Sequence, residues 1–298
     1  MSGGEFYRAS SVQEALDLLA KYGAKAHVLA GGTDVMVKVN RRQLAPEVLV
    51  YIGECGLNYI KDLGDKVVIG GATPFAEILR SDVVKQKLPL LAEAVKHIGT
   101  PAIRNVGTIG GNLVTASPAA DSSVPLLALG ASVKLASKSG ERVVPLETFF
   151  KGPGETVRKP DELLVEVIVP VPDKDVKFAY HKIGRRKAGT LSVVAGAVIF
   201  KAEGGMPRGT AIARDQACYF EKCSQARVVL NAVAPTPLVA KKASALLEGS
   251  ALDAELIAKV AKTAAEETSP IDDVRASAWY RRQASEGLVK SLLERIVA

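Results

Sequence analysis

Two short stretches decide how this sequence reads: Val28-Leu-Ala-Gly-Gly-Thr-Asp34 and Val106-Gly-Thr-Ile-Gly-Gly-Asn112. Each places a Gly-Gly pair at the end of an apolar run. Adjacent glycines let the backbone adopt positive φ and come close to a ligand, because no Cβ intervenes. Successive N–H groups in such turns form concave nests that bind anions. A diphosphate carries more acceptor oxygens than one turn satisfies, so two nests from separate segments suit it. Hydroxyls at Thr33, Thr108 and Ser117 add donors. Gly70-Gly71 and Gly204-Gly205 read as turns and nothing more. The dinucleotide fingerprint G-x-G-x-x-G is absent, and so is the G-x-x-x-x-G-K-[ST] phosphate loop.

Outward from these turns the pattern is that of a mixed chain. Ser11-Val-Gln-Glu14 is a capping box, with Val12, Ala15, Leu16 and Leu19 at helical spacing and Gly23 beyond the helix. Strands are expected at 26–30, 48–52, 66–69, 131–136, 142–145 and 163–169. Thr73-Pro74 opens a helix, and another runs over 88–98 to Gly99. Residues 101–121, rich in Gly, Ser, Thr, Pro and Asn, read as one long functional loop. Pro170-Val-Pro172 marks a domain boundary. Beyond it come strands at 178–183, 191–200 and 226–233. Helices at 237–248, 252–268 and 273–297 follow, with Thr236 and Asp272 as cap candidates. Strands then helices indicate an α+β second domain.

Composition narrows the function. The 298 residues are 48% hydrophobic and 24% charged, an ordinary globular balance. Lys and Arg number 39 against 32 Asp and Glu, a net +7 that suits an acidic partner or ligand. The longest apolar stretches, such as 193–200, fall far short of the ~20 residues of a membrane helix. With no secretory signal pattern at the start, a cytoplasmic protein without a membrane span is expected. Three cysteines make no disulfide scaffold. Cys218 and Cys223 have a C-x4-C spacing, but the further ligands of an iron–sulfur cluster are missing. His27, His97 and His181 are isolated, so no metal site is read. No G-x-S-x-G elbow is present.

At the two turns the sequence resembles the FAD-binding (medium) subunits of the molybdenum hydroxylases, the carbon monoxide dehydrogenase and bacterial xanthine dehydrogenase type. The residues that carry the likeness are Ala30-Gly-Gly-Thr-Asp34, and Thr108-Ile-Gly-Gly-Asn112 continuing through Thr115-Ala-Ser-Pro-Ala-Ala-Asp121. It continues in Tyr180-His-Lys-Ile-Gly-Arg-Arg186, Val233-Ala-Pro-Thr-Pro237 and Asp272-Asp-Val-Arg-Ala-Ser277 with Tyr280-Arg281. The resemblance implies an α+β chain with a two-subdomain FAD-binding fold of the vanillyl-alcohol-oxidase (PCMH) type, FAD lying between the subdomains. A small antiparallel sheet with three helices would follow. The implied divisions are residues 1–55, 56–173 and 174–298.

Carried over by position, Leu29, Ala30, Gly31, Gly32, Thr33, Asp34 and Val35 hold one side of the FAD diphosphate. Gly107, Thr108, Gly110, Gly111 and Asn112 hold the other. Ser117 and Asp121 match positions that bind the adenosine half, Asp121 as a ribose acceptor. Leu163 or Leu164 lies against the isoalloxazine edge. Lys182 matches a flavin-adjacent lysine, the one residue assigned a catalytic role, with His181 its rival by one register step. The implied task is electron transfer from a [2Fe-2S] small subunit, beside a molybdenum-cofactor large subunit, to NAD or another acceptor. No four-cysteine insertion is present, so FAD is expected as the only cofactor.

The sequence departs from the family pattern at 187–192, which lacks the usual acidic residue, at Asn231, commonly glycine, and over 208–223. Other readings stay open. Asp34 and Asp121 are also plausible caps, Lys182 and Arg185-Arg186 a solvated face, Trp279 and Tyr280 packing residues. A stand-alone flavoprotein oxidoreductase of the same fold is one alternative. Another is a basic nucleic-acid-binding or scaffold module using Arg41-Arg42, Arg185-Arg186 and Arg281-Arg282. The 5% aromatic content and the interspersed acids weigh against nucleic acid.

Overall fold

The computed structural model describes residues 4–187, 189–205 and 219–298. Cys218 and most of the unusual 208–223 segment lie outside the described residues; Cys223 is a buried thiol. The chain forms two compact units, and the division is not a single cut. The first comprises residues 1–117 and 130–171; the second takes residues 118–129 together with 172–298.

The first unit begins with β1 (Glu5–Arg8), α1 (Val12–Tyr22), β2 (Ala26–Leu29), α2 (Val35–Asn40) and β3 (Val48–Tyr51). The three strands make a parallel sheet in the order β1-β3-β2, so each connection must cross over, which α1 and α2 do. α1 starts where the capping box predicts. Glu14 N–H donates to Ser11 Oγ at 3.1 Å, while the Glu14 carboxylate accepts from Ser10 N–H at 2.9 Å. That return bond falls one residue before the cap itself. Ala15, Leu16 and Leu19 are buried beneath it.

The rest of the unit is a five-stranded antiparallel sheet with short helices. β4 (Ile60–Asp62) and β5 (Lys66–Gly70) precede α3 (Phe75–Arg80), α4 (Asp82–Lys87), α5 (Pro89–Val95), α6 (Pro101–Val106) and α7 (Ile109–Thr115). The helix α8 (Ser123–Ala128) belongs to the second unit. The chain then returns as β6 (Ser132–Ser137), β7 (Gly140–Pro145), the small ribbon β8 (Phe150–Gly152) and β9 (Glu155–Thr156), and β10 (Leu163–Pro170). The sheet order is β4-β5-β10-β6-β7. One apolar core joins the two sheets: Leu16, Leu19 and Val50 share it with Ala136, Leu163 and Val165. Each such fully buried aliphatic side chain is worth roughly 1.5–3 kcal/mol.

The expected loop at 101–121 is two short helices instead. Thr100 Oγ1 accepts from Ile103 N–H at 3.3 Å with Pro101 in the first turn, and Thr108 Oγ1 accepts from Gly111 N–H at 3.1 Å. Helices this short and glycine-rich carry no apolar periodicity, so composition reads as loop.

The second unit is the antiparallel sheet β11 (Val176–Gly184), β12 (Ser192–Gly205), β13 (Phe220–Asn231) and β14 (Leu238–Val239), with α9 (Lys241–Leu247), α10 (Ala254–Glu266) and α11 (Ala278–Val297). Its core packs Val194, Val198, Val228 and Leu230 against Leu247, Val260, Leu288 and Leu292. The final helix begins at Ala278, later than the expected 273, because Ser277 is its cap and Asp272 accepts from the Ala278 amide across the preceding turn. Likewise α9 starts at Lys241, not Pro237, with no side-chain cap.

Arg281 is 1% exposed, unlike the surface pair that Arg281-Arg282 suggests. Its guanidinium donates to Ala232 O at 2.6 Å and to Asp273 Oδ1 at 2.6 Å. Arg275 grips the same carboxylate, and these two guanidiniums, Arg275 foremost, hold Asp273 far below the usual carboxylate range. A carboxyl depressed in the fold contributes stability above its unfolded pKa of ~3.9 and loses it as pH falls further. Asp273→Asn should therefore destabilise the protein at pH 6 but bring wild type and variant together as pH falls well below 4, measured by urea midpoints across pH.

Candidate cofactor site

The first turn follows β2 directly. Among the described residues, the amides of Gly31, Gly32, Thr33 and Asp34 donate to no other group of the chain. A run of four amides without partners is costly unless water or a ligand takes them. Gly32 has φ +70°, the left-handed conformation such a turn needs. Gly31 meets a harder constraint: a Cβ there would lie 1.7 Å from the Val106 carbonyl oxygen. The first turn and the end of α6 thus touch backbone to backbone. Burial raises the Asp34 carboxyl pKa, with Lys38 opposing. Its side chain makes no capping bond to α2, so the cap alternative for Asp34 finds no bond.

The second turn is built differently. Gly107 N–H donates to Ile103 O, Ile109 N–H to Thr73 O, Gly110 N–H to Gly71 O and Gly111 N–H to Thr108 Oγ1, at 2.7–3.1 Å. These amides are occupied. The Thr108 hydroxyl accepts from Gly111 and keeps its own proton to donate. Gly107 is close enough that a Cβ would meet Thr33 Oγ1 at 3.5 Å. The two turns therefore differ: the first leaves its amides without partners in the chain, and the second takes up those of Gly107, Ile109, Gly110 and Gly111.

The second turn rests on residues the sequence reading passed over. A Cβ on Gly110 would lie 2.4 Å from Gly71 O, and one on Gly71 would lie 2.3 Å from Leu164 O. Thr73, fully buried, donates to Tyr59 O and accepts from Tyr59 N–H, both at 3.1 Å. Gly70-Gly71 is therefore part of the site's frame. The signal was available: it is another Gly-Gly after a strand, closed by Thr73-Pro74. Leu163 and Leu164 on β10 are both interior, and the Leu164 carbonyl and side chain both come against Gly71.

Asp121 and Lys182 lie in the second unit and engage each other. Lys182 Nζ is 2.6 Å from Asp121 Oδ2 and 2.8 Å from Thr190 O. Ser192 Oγ donates to Asp121 Oδ1, and Asn231 Nδ2 lies 3.4 Å from the same oxygen. Asn231 Oδ1 also accepts from Ala195 N–H at 2.9 Å. Both side chains of the ion pair are nearly buried, at 6% and 7% exposure. On this strand successive side chains alternate faces, and Ala179 and Ile183 pack on the core side. His181 shares their face and Lys182 takes the other. Two departures from the family pattern, Ser192 and Asn231, thus converge on one carboxylate.

Residues 2–172 match the family model described as the FAD binding domain in molybdopterin dehydrogenase. Residues 178–296 match that of the CO dehydrogenase flavoprotein C-terminal domain. The chain belongs to the FAD-binding medium subunits of the molybdenum hydroxylases. It is 34% identical over 295 residues to the carbon monoxide dehydrogenase medium chain of Afipia carboxidovorans, covering 99% of this chain and 96% of that one. It is 28% identical to the xanthine dehydrogenase FAD-binding subunit of Escherichia coli O157:H7, covering 98% and 96%. Among solved structures, the carbon monoxide dehydrogenase of Hydrogenophaga pseudoflava matches with a TM-score of 0.89 at 33% identity, covering 98% of this chain and 96% of that one. Membership makes FAD the cofactor and the chain a subunit of an FAD-dependent oxidoreductase. The fold agrees, mixed α and β with an FAD-binding domain ahead of a C-terminal domain. Among the described residues no helix is long and apolar enough to cross a membrane.

Truncating Asp121 leaves the buried Lys182 charge without its partner. Asp121→Ala should cost about 3–5 kcal/mol, read as a lower urea midpoint, with Asp121→Asn falling between it and wild type. An unchanged midpoint would show the pair to be solvated in solution.

Proposed function

We propose that this subunit receives electrons from a [2Fe-2S] small subunit, in a complex with a molybdenum-cofactor large subunit, and passes them to NAD or another acceptor in the cytoplasm. The observation that carries it is the row of four amides without partners set against the Val106 carbonyl by Gly31. Bound FAD supplies the chemistry, accepting electrons singly and delivering them in pairs.

The chain's residues bind and position. Gly31, Gly32, Thr33 and Asp34 offer amides to one side of the diphosphate, flanked by Leu29, Ala30 and Val35. Thr108 offers its hydroxyl to the other side. Gly107, Gly110 and Gly111 are assigned to close backbone approach rather than to donation. Asn112 follows them on α7 and Ser117 lies just beyond it, both proposed as further polar contacts. The boundary near residue 55, between the two sheets of the first unit, divides the halves that hold the cofactor. Asp121, whose carboxylate is already taken, is assigned to holding the Lys182 ammonium in place, not to the ribose. Lys182 keeps the cationic role. Nucleic-acid binding loses one of its three basic pairs, since Arg281 is internal.

The purified wild-type chain should be yellow and release FAD on denaturation. Gly31→Ala should lower bound FAD per chain by at least about tenfold, because the added methyl cannot coexist with the Val106 carbonyl. Gly287→Ala on α11, where a Cβ meets nothing within 4 Å, should leave FAD content unchanged. A colourless wild type that added FAD does not reconstitute would overturn the reading.

A further inference from the structure

Helices α2 and α6 leave the two abutting turns with no buried residue on either of them. Four of the six α2 residues, Val35, Met36, Val37 and Val39, are apolar. An apolar helix in a globular protein ordinarily buries one stripe. Here Met36 is 36% and Val37 44% exposed, and on α6 Ile103 is 40% and Val106 48% exposed. Single exposed apolar residues need no explanation, but these four lie on one helix that ends at the Gly31–Val106 contact and another that begins four residues beyond it.

The chain segments that carry the two helices are mostly basic, and α3, which packs on α6, adds the paired Glu77 and Arg80. Residues 29–46 and 97–120 together contain Lys38, Arg41, Arg42 and Arg104 against the single acid Asp34, a local +3 out of the chain's +7. Lys38, Arg41 and Arg42 are exposed and enter no ion pair among the described residues. α2 also sits close to the cofactor: it begins one residue after the amide turn and runs six residues, about 9 Å at 1.5 Å per residue.

We infer that the α2–α6 face is the docking surface for the acidic face of the electron-donating iron–sulfur subunit. The inference rests on the flavin reading above and names the place where its partner binds. An apolar centre with a basic rim fits an acidic protein surface around a small apolar contact. A donor docked there stands beside the turn that holds the cofactor. A second copy of this chain would bring two basic rims together, which like-charge repulsion disfavours.

The test uses the tagged full-length chain expressed in its own host and purified with its complex. FAD per chain and iron per chain are read separately, iron by assay and by the electron paramagnetic resonance signal of a reduced [2Fe-2S] centre. Val37→Asp places a carboxylate among the exposed apolar residues, and Lys38→Glu with Arg41→Glu reverses the rim. Both sets are exposed, and unchanged circular dichroism melting checks the fold. The expected result is a loss of iron per chain of at least about tenfold in both variants with FAD per chain unchanged.

Iron per chain at the wild-type level in both variants would overturn the inference. So would loss of FAD along with iron, which would make the cofactor itself the cover of α2. A wild-type self-association that the variants abolish, or wild-type binding to phosphatidylserine vesicles that they abolish, with iron unchanged, would assign the face to a second copy or to a membrane instead. A colourless wild type would sink the flavin reading, while iron per chain would still judge the docking surface.

Discussion

The site depends on a contact between two stretches of backbone. The Gly31 α-carbon sits so close to the Val106 carbonyl that no side chain fits between them. The four amides of the first turn follow directly on this contact. The second turn cannot drift to relieve the contact, because Gly110 is bonded to Gly71 and lies against it, and Gly71 lies against Leu164 on β10. A chain of backbone approaches thus runs from the amide turn to the middle of the five-stranded sheet. Rigid strands set the geometry of a turn that would otherwise be free to close on itself. Preorganised amides of this kind bind an anion without reordering cost.

Much of this was legible in the sequence, and the reasons for the rest are physical. α1 was readable because its cap and its apolar spacing agree. The first Gly-Gly was readable because glycine after a strand has few other uses; the second was misplaced, since Gly110 and Gly111 lie in α7 behind α6 and not at a strand end. Which of their amides are already bonded was not legible, since it depends on partners such as Thr73 that lie some thirty-five residues away. Gly70-Gly71 looked like a plain turn for the same reason. α6 and α7 escaped because a threonine cap and six or seven residues leave no periodicity to count. Arg281 looked like half of a surface pair; only the fold shows the Ala232 carbonyl and the Asp273 carboxylate waiting for it inside.

The second unit shows how departures from a family pattern can be joint. Ser192 and Asn231 lie on different strands, β12 and β13, and look unrelated in sequence. Both reach the Asp121 carboxylate, which already holds Lys182. A buried carboxylate has several lone pairs to satisfy, and a lysine alone does not satisfy them. The two polar residues add donors to that carboxylate, Asn231 while also accepting from the Ala195 amide.

The excursion of residues 118–129 out of the first unit and into the second has a consequence for synthesis. All six residues of α8 are buried, yet their sheet partner β13 leaves the ribosome only after about a hundred further residues. At ~5–20 residues per second that is roughly 5–20 s in which an apolar helix has no home. During that interval the nascent chain carries a sticky segment in the middle of an otherwise foldable domain. A cell making this protein must shield that helix or make the rest of the chain quickly.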